Sequence, residues 1–283
     1  MPVYTIDKPL GPTSHDVVAK ARKLLGTKRV GHAGTLDPLA TGVLVILSED
    51  ATKLSPFLTA SDKHYLAWVS FGGHSPTLDA EGPLEDRQDA SRLTREAVLA
   101  ALPPFLELNE QLPPQYSAVK KGGVKGYQAA RRGDRLELQR RPAGYERIEL
   151  LGFAASREAL PTRFGLSPHT LDWRPHDEGM QLELPQPLGD FPTALVSLRV
   201  KAGTYVRAFA RDLGEALGLP AHLSGLVRTR AGKNGLEAAL RLETIAGASG
   251  LSNAEALPYP LLSVNQEEER SLLQGKPVAL EID

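Results

Sequence analysis

Cysteine is absent from this 283-residue chain, which removes disulfides, thiolate nucleophiles, zinc ribbons and iron–sulfur clusters from its possible chemistry. No stretch approaches the roughly 20 consecutive apolar residues of a membrane helix, and Met1–Asp16 lack the basic-then-apolar order of an export signal. A cytoplasmic protein with no membrane association is expected. Neither common glycine pattern for cradling phosphates occurs, no segment repeats, and no low-complexity linker interrupts the chain before about residue 246. Net charge is nearly lacking too: 33 Lys and Arg face 34 Asp and Glu, a formal −1. That balance argues against a protein that coats nucleic acid indiscriminately.

What is present is an ordinary globular composition, 41% hydrophobic and 24% charged, with 26 Gly and 22 Pro spread along the chain. The length allows one large domain, or one domain plus a small appendage. Charge is segregated along it. Gln111–Arg147 holds nine Lys or Arg against three Asp or Glu, and Arg199–Lys233 seven against two. His74–Glu110 holds eight acidic against three basic residues, as does Glu237–Asp283. Segregation of this kind on a neutral chain suggests one positive face for a polyanion.

Strand and helix signals alternate without the regular beat of a doubly wound sheet, so an α+β fold with a mixed sheet is expected. Val3–Ile6 reads as a strand, and Ser14 as the N-cap of a helix whose apolar face is Val17, Val18, Ala21, Leu24 and Leu25, stopped by Gly26. Gly31–Thr41 reads as a loop before a buried strand, Val43–Leu47. Tyr65, Ala67, Val69 and Phe71 alternate with Leu66 and Trp68 in a half-buried strand. Leu195–Val200 is another strand, Thr204–Leu217 a helix, and Leu223–Arg228 a short apolar segment.

The densest chemistry lies in Gly31-His32-Ala33-Gly34-Thr35-Leu36-Asp37-Pro38-Leu39-Ala40-Thr41-Gly42. Three glycines permit backbone shapes or close approaches that a side chain forbids, and Pro38 biases Asp37 toward extended geometry. The carboxylate is therefore held in place. An isolated Asp-Pro is most often only a turn. This run, however, resembles the catalytic motif of the TruB family, the bacterial tRNA pseudouridine-55 synthases. The resemblance extends through Asp7-Lys8-Pro9 with Thr13-Ser14-His15-Asp16, Ala51-Thr52-Lys53, Lys63-His64-Tyr65, Pro113–Lys120 with Tyr127 and Ala130-Arg131, and Gly203-Thr204-Tyr205-Val206-Arg207 with Asp212-Leu213-Gly214. Together these blocks span roughly residues 3 to 245.

The resemblance implies a pseudouridine synthase fold, with a mainly antiparallel central sheet and an active cleft across it. It also implies roles. Asp37 matches the nucleophile, Arg207 the arginine paired with it, and Tyr65 the aromatic that stacks on the target base. His32 matches a histidine placed against the RNA near the flipped nucleotide, Tyr205 a tyrosine near the Asp and Arg, and Leu226 a wall of the uracil pocket. Lys8, Lys120 and Arg131 are candidate phosphate contacts from their basic neighbourhoods. Pseudouridylation moves the glycosidic bond from N1 to C5 of uracil without redox change, so neither cofactor nor metal is expected. Asp37 could attack C6 or C1′, or remove a ribose proton, and the sequence leaves these open. The expected partner is the tRNA T-arm, bound by a monomer without an obligatory protein partner.

Two stretches depart from the family's pattern. Residues 155–192 form an unmatched, proline-containing excursion, whose Trp173 is expected in a satellite cluster under a long loop rather than on RNA. The catalytic domain is placed at residues 1–250, and 251–283 resembles the opening of a PUA module, too short to bury a core of its own. The rival from another class is a non-catalytic RNA-binding protein that folds tRNA in the same cleft. A third reading aims the same chemistry at guide-directed or ribosomal RNA.

Overall fold

The computed structural model describes residues 2–278 except 118, 122, 123, 131, 135 and 261; of residues 120, 121, 124, 125, 127 and 128 only the backbone is considered. The expected helix after the first strand forms as α1 (Ser14–Leu25), with Val17, Val18 and Ala21 buried and Gly26 closing it in the left-handed region. Its cap is Thr13 rather than Ser14. Thr13 accepts from the Asp16 N–H and the Asp16 carboxylate reaches back to the Thr13 N–H, a capping box. Ser14 is thereby free for another task, described below.

Strands β1 (Val3–Lys8), β2 (Val30–Ala33), β3 (Ala40–Ser48) and β4 (Lys63–Phe71) come first. Short pieces follow: α2 (Ser55–Thr59), α3 (Arg95–Ala101), α4 (Gly126–Ala130) and the two-residue strands β5 (Glu110–Gln111), β6 (Lys120–Lys121), β7 (Val124–Lys125) and β8 (Arg141–Pro142). Then come β9 (Tyr145–Ala154), β10 (Arg163–Leu166), β11 (Trp173–Pro175), β12 (Met180–Gln181), β13 (Thr193–Val200), α5 (Val206–Ala216), β14 (Ala221–Ala231) and β15 (Asn234–Gly235). The main sheet has eight strands in the order β1-β3-β14-β4-β13-β9, with β2 on β3 and β15 on β14. Only β3 with β14 is parallel, so the sheet is mixed and mainly antiparallel. The α+β expectation holds.

Strand β4 is buried on both faces rather than half-buried. Tyr65, Ala67, Val69 and Phe71 join the layer under α1 and α5, with Val17, Phe209 and Leu213. Leu66 and Trp68 point into a second core with Phe164, Trp173 and Leu182. Those last three belong to the unmatched excursion, which folds as a three-stranded sheet, β11-β10-β12, over the back of the main sheet. Phe164 meets Trp68 edge-on at 5.9 Å, and Trp68 has no exposed surface. Trp173 is thus part of a full second core layer, not of a satellite cluster; alternation alone could not reveal a cover supplied by residues a hundred positions away.

The segment read as short and apolar, Leu223–Arg228, is the middle of the 11-residue β14, which joins β3 to β4. The expected loop at Gly31–Thr41 is also shorter, because Gly31 to Ala33 pair with β3. Gly42 shows why glycine is needed at the join. Its φ is 92°, and a Cβ there would lie 2.3 Å from the Arg228 carbonyl oxygen. Gly42→Ala must both strain the backbone and push β14 from β3. Chemical denaturation should show a loss of about 2 kcal/mol or more; an unchanged midpoint would contradict this account of the strand join.

Candidate active site

Asp37 stands at the start of a tight turn closed by Ala40 N–H to Asp37 O (3.0 Å), with Pro38 at the second position. The loop before it is held by side chains, because it has no ladder to satisfy its peptides. Ser14 Oγ donates to Leu36 O (2.9 Å) and accepts from Leu36 N–H (2.8 Å). Arg228 donates from Nη2 to Gly34 O (2.9 Å), from Nη1 to Thr35 O (3.3 Å) and from Nε to Val43 O (2.7 Å). Lys8 Nζ donates to Pro9 O (2.9 Å) and Pro38 O (3.4 Å), and Gly11 N–H to Pro38 O (3.0 Å).

Lys8 was expected to touch phosphate, and this is corrected. Its side chain is fully buried, and its ammonium donates to the carbonyls of Pro9 and Pro38. Burial lowers its pKa to about 8, opposed by the charges of Glu81 and Asp37.

Arg207, in the first turn of α5, meets the carboxylate: its Nε lies 2.9 Å from Asp37 Oδ2. The guanidinium is itself fixed, donating to Thr77 O (2.9 Å) and Tyr116 O (2.8 Å), with Asp79 Oδ2 at 3.6 Å. Asp79 is buried, and its carboxyl is raised above its usual range by burial despite Arg207. Oδ1 of Asp37 has no hydrogen-bond partner among the described residues, whereas Oδ2 is held by Arg207.

Asp37, Arg207, Tyr65, Tyr205 and Leu226 line one cavity of about 620 Å³, within the ~300–1,000 Å³ usual for ligand sites. Strand register explains the convergence, since Arg228 pairs with Tyr65 and Leu226 with Ala67 across β14 and β4. Burial raises the Tyr205 hydroxyl above its usual range, and its backbone N–H is held by Gln111 (3.0 Å).

His32 does not line the cavity. It is half-buried on β2, edge-on to His15 at 5.5 Å, and burial lowers its pKa; His15 is the ring at the wall. Lys120 lies in β6, its side chain outside the described set, and Arg131 lies outside the described residues altogether. Sequence reasoning missed His15, Lys63, Arg228 and Asp79 as site residues. For Arg228 there was a signal: an arginine closing an apolar strand segment. For Asp79 there was none, since it sits in an acidic stretch that reads as solvated surface.

The basic stretch from Arg199 to Lys233 is not an open positive face. Arg199 pairs with Asp172, Arg211 with Asp212 and Arg230 with Glu237, while Arg207 and Arg228 are buried at the cavity rather than on the surface.

An open-ended mixed sheet with a carboxylate and arginine paired at one cavity defines the class, and comparison with known proteins places it. Residues 22–165 match the TruB family pseudouridylate synthase N-terminal domain. A protein named tRNA pseudouridine synthase B from Thermus thermophilus is 50% identical over 281 residues, covering 99% of this chain and 88% of that one. The protein of that name from Deinococcus radiodurans is 49% identical over 276 residues, 98% and 88% of the two chains. Among solved structures, a chain of a Cbf5-Nop10-Gar1 complex is similar with a TM-score of 0.57 and 26% identity, over 87% of this chain. The match spans only 54% of that longer chain. The chain belongs to the TruB family of pseudouridylate synthases. No helix among the described residues is long and apolar enough to cross a membrane.

The buried Lys8 carries a pH signature. Its pKa is lowered in the folded state, so the unfolded chain binds the extra proton between about pH 8 and the ordinary lysine value of 10.5. Folding stability from this group therefore rises with pH across that window and is flat below it. Replacing Lys8 with Met should flatten the rise by an amount of order 3 kcal/mol, read as the difference between the two denaturation profiles. Parallel profiles would contradict it.

Proposed function

We propose that this protein isomerises the T-loop uridine of tRNA, position 55, to pseudouridine, with Asp37 as nucleophile and the uridine flipped into the cavity. The single observation that carries the reading is the Asp37–Arg207 pair at 2.9 Å, opening on a cavity walled by Tyr65 and Leu226. A protein that merely binds RNA gains nothing from a carboxylate placed amid phosphates. Tyr65 contributes a face on which the extruded uracil stacks, worth about 1–3 kcal/mol and offsetting the cost of unstacking. Leu226 and Val206 help exclude water while the base is detached.

The reaction balances without any co-reactant. The N1–C1′ bond breaks, a C5–C1′ bond forms, C5 gives up its proton and N1 gains one. Arg207 keeps Oδ2 engaged, so a single oxygen approaches the nucleotide. tRNA is preferred over a guide-directed substrate because the relatives named for tRNA are 50% identical over nearly the whole chain. The chain from the Cbf5 complex is half as similar and far longer. We read the enzyme as acting on the T-arm alone, without an obligatory protein partner.

The test is release of tritium to water from T-arm RNA labelled at uracil C5. The parent should release it without any guide RNA, and Asp37→Asn should lose about 10⁴-fold or more in rate while binding RNA within a few-fold. Substantial release by the Asn variant would remove Asp37 as nucleophile.

Tyr65 separates stacking from proton transfer. If stacking is its task, Tyr65→Phe binds and turns over like the parent, and Tyr65→Ala weakens binding by about 1–3 kcal/mol. A Phe variant that binds normally yet stalls after the first bond change, in single-turnover analysis, would instead assign the hydroxyl to C5 deprotonation.

A further inference from the structure

Two buried cations that the pseudouridylation chemistry does not use line the cavity. Lys63, at the start of β4, is 6% exposed, and Arg228, on β14, is 1% exposed. They converge beside Gly34. The point where a Cβ would stand on that glycine lies 3.5 Å from Arg228 Nη1 and 3.8 Å from Lys63 Cε. Among the described residues neither has a carboxylate within ion-pair distance, whereas Arg207, in the same cavity, has two. Their hydrogen bonds run to peptide carbonyls only: Lys63 Nζ to Thr59 O (2.6 Å) and to Ser61 O, and Arg228 to Gly34, Thr35 and Val43.

Donor arithmetic leaves a remainder. A guanidinium carries five N–H groups and an ammonium three, so two of Arg228 and one of Lys63 are left once those carbonyls are served. Burying two like charges side by side without a counter-ion is costly. The cost shows on Lys63, whose pKa falls to about 8 through burial first and Arg228 second, with Asp62 only partly opposing. An anion of small radius, seated against the spare donors, removes that penalty. It would have to enter by the cavity, since both residues line it together with Asp37.

We propose that Lys63 and Arg228 form a binding site for one RNA phosphodiester, the one flanking the uridine held at Asp37. The inference rests on the RNA-isomerase reading above and adds to it a backbone contact inside the cavity. It also gives Arg228 a double task, bracing the catalytic loop through Gly34 and Thr35 while offering its remaining N–H groups to the nucleotide. Binding of the correct strand then presses on the loop that carries Asp37.

The experiment is a cycle of protein and RNA changes. T-arm stem-loops carrying a neutral methylphosphonate at the linkage 5′ or 3′ of the uridine are titrated against the parent and Lys63→Met. The parent should lose about tenfold or more in affinity with one of the two neutral linkages, the scale of close charge pairs in such cycles. Lys63→Met should lose a similar factor on unmodified RNA, lose less than about twofold further on the neutral linkage, and show a salt slope smaller by about one. Lys63→Arg, which keeps the charge, should retain the linkage effect. Thermal melting separates a structural role: a lysine that serves only to tie Thr59 and Ser61 would leave Lys63→Met less stable and the linkage effect intact. Additive losses in the parent and Lys63→Met would overturn the proposal, as would equal losses from neutral linkages at distant positions. Inorganic phosphate binding lost in Lys63→Met without any linkage effect would assign the pair to a free anion and reject the RNA contact. Tritium release by the parent reports separately: its absence defeats the isomerase reading, while turnover with additive losses defeats this proposal alone.

Discussion

The loop that carries Asp37 has no ladder to satisfy its peptide groups, so these need partners from elsewhere. Here those partners are buried side chains. Arg228, Lys8 and Ser14 come from β14, β1 and α1; their donors converge on the carbonyls of Gly34, Thr35, Leu36 and Pro38, and Ser14 Oγ also accepts from the Leu36 N–H. Buried cations bonded to neutral carbonyls are unusual, since they forgo the Coulomb gain of a carboxylate partner. In this site a carboxylate so placed would compete with Asp37 for every cation in reach. Carbonyl partners hold the loop and leave Asp37 paired with Arg207.

The same choice shapes the electrostatics around the cavity. Arg207 is gripped from three sides by Asp37, Asp79 and the carbonyls of Thr77 and Tyr116, so it cannot swing away to solvent. Asp79 is buried behind it, and burial holds its carboxyl above the usual range. Positive and negative charge are thus sorted within the cavity. The carboxylates stand around Arg207, and the unneutralised cations Lys63 and Arg228 stand by Gly34, where a polyanionic ligand can supply what the protein omits.

The back of the sheet bears on the site less directly. β4 and β14 carry Tyr65, Leu226 and Arg228 toward the cavity, and their opposite faces are sealed by the three-stranded excursion through Trp68, Phe164 and Trp173. Close packing on both sides keeps the two strands in fixed register. A strand with one wet face could slip or breathe; one clamped between two cores holds its cavity side chains in place.

Much of this was legible in the residues. The motif around Asp37, the helix pattern of Val17, Val18 and Ala21, and the strands at Val43–Leu47 and Leu195–Val200 all follow from local periodicity and turn chemistry, which neighbouring residues decide among themselves. The α+β class was expected from the irregular alternation of strand and helix signals, and the meeting of Asp37 with Arg207 from the family resemblance. What local pattern could not contain was the outcome of long-range competition. Lys8 has the sequence context of a surface lysine and ends fully buried; Asp79 lies in an acidic run and ends beside Arg207; Trp173 sits in an unmatched stretch and ends in a core. Each of these depends on which distant strand arrives beside it. Burial is a property of the assembled sheet, and charge in a one-dimensional run says nothing of which partner will neutralise it until β14 has joined β3 to β4.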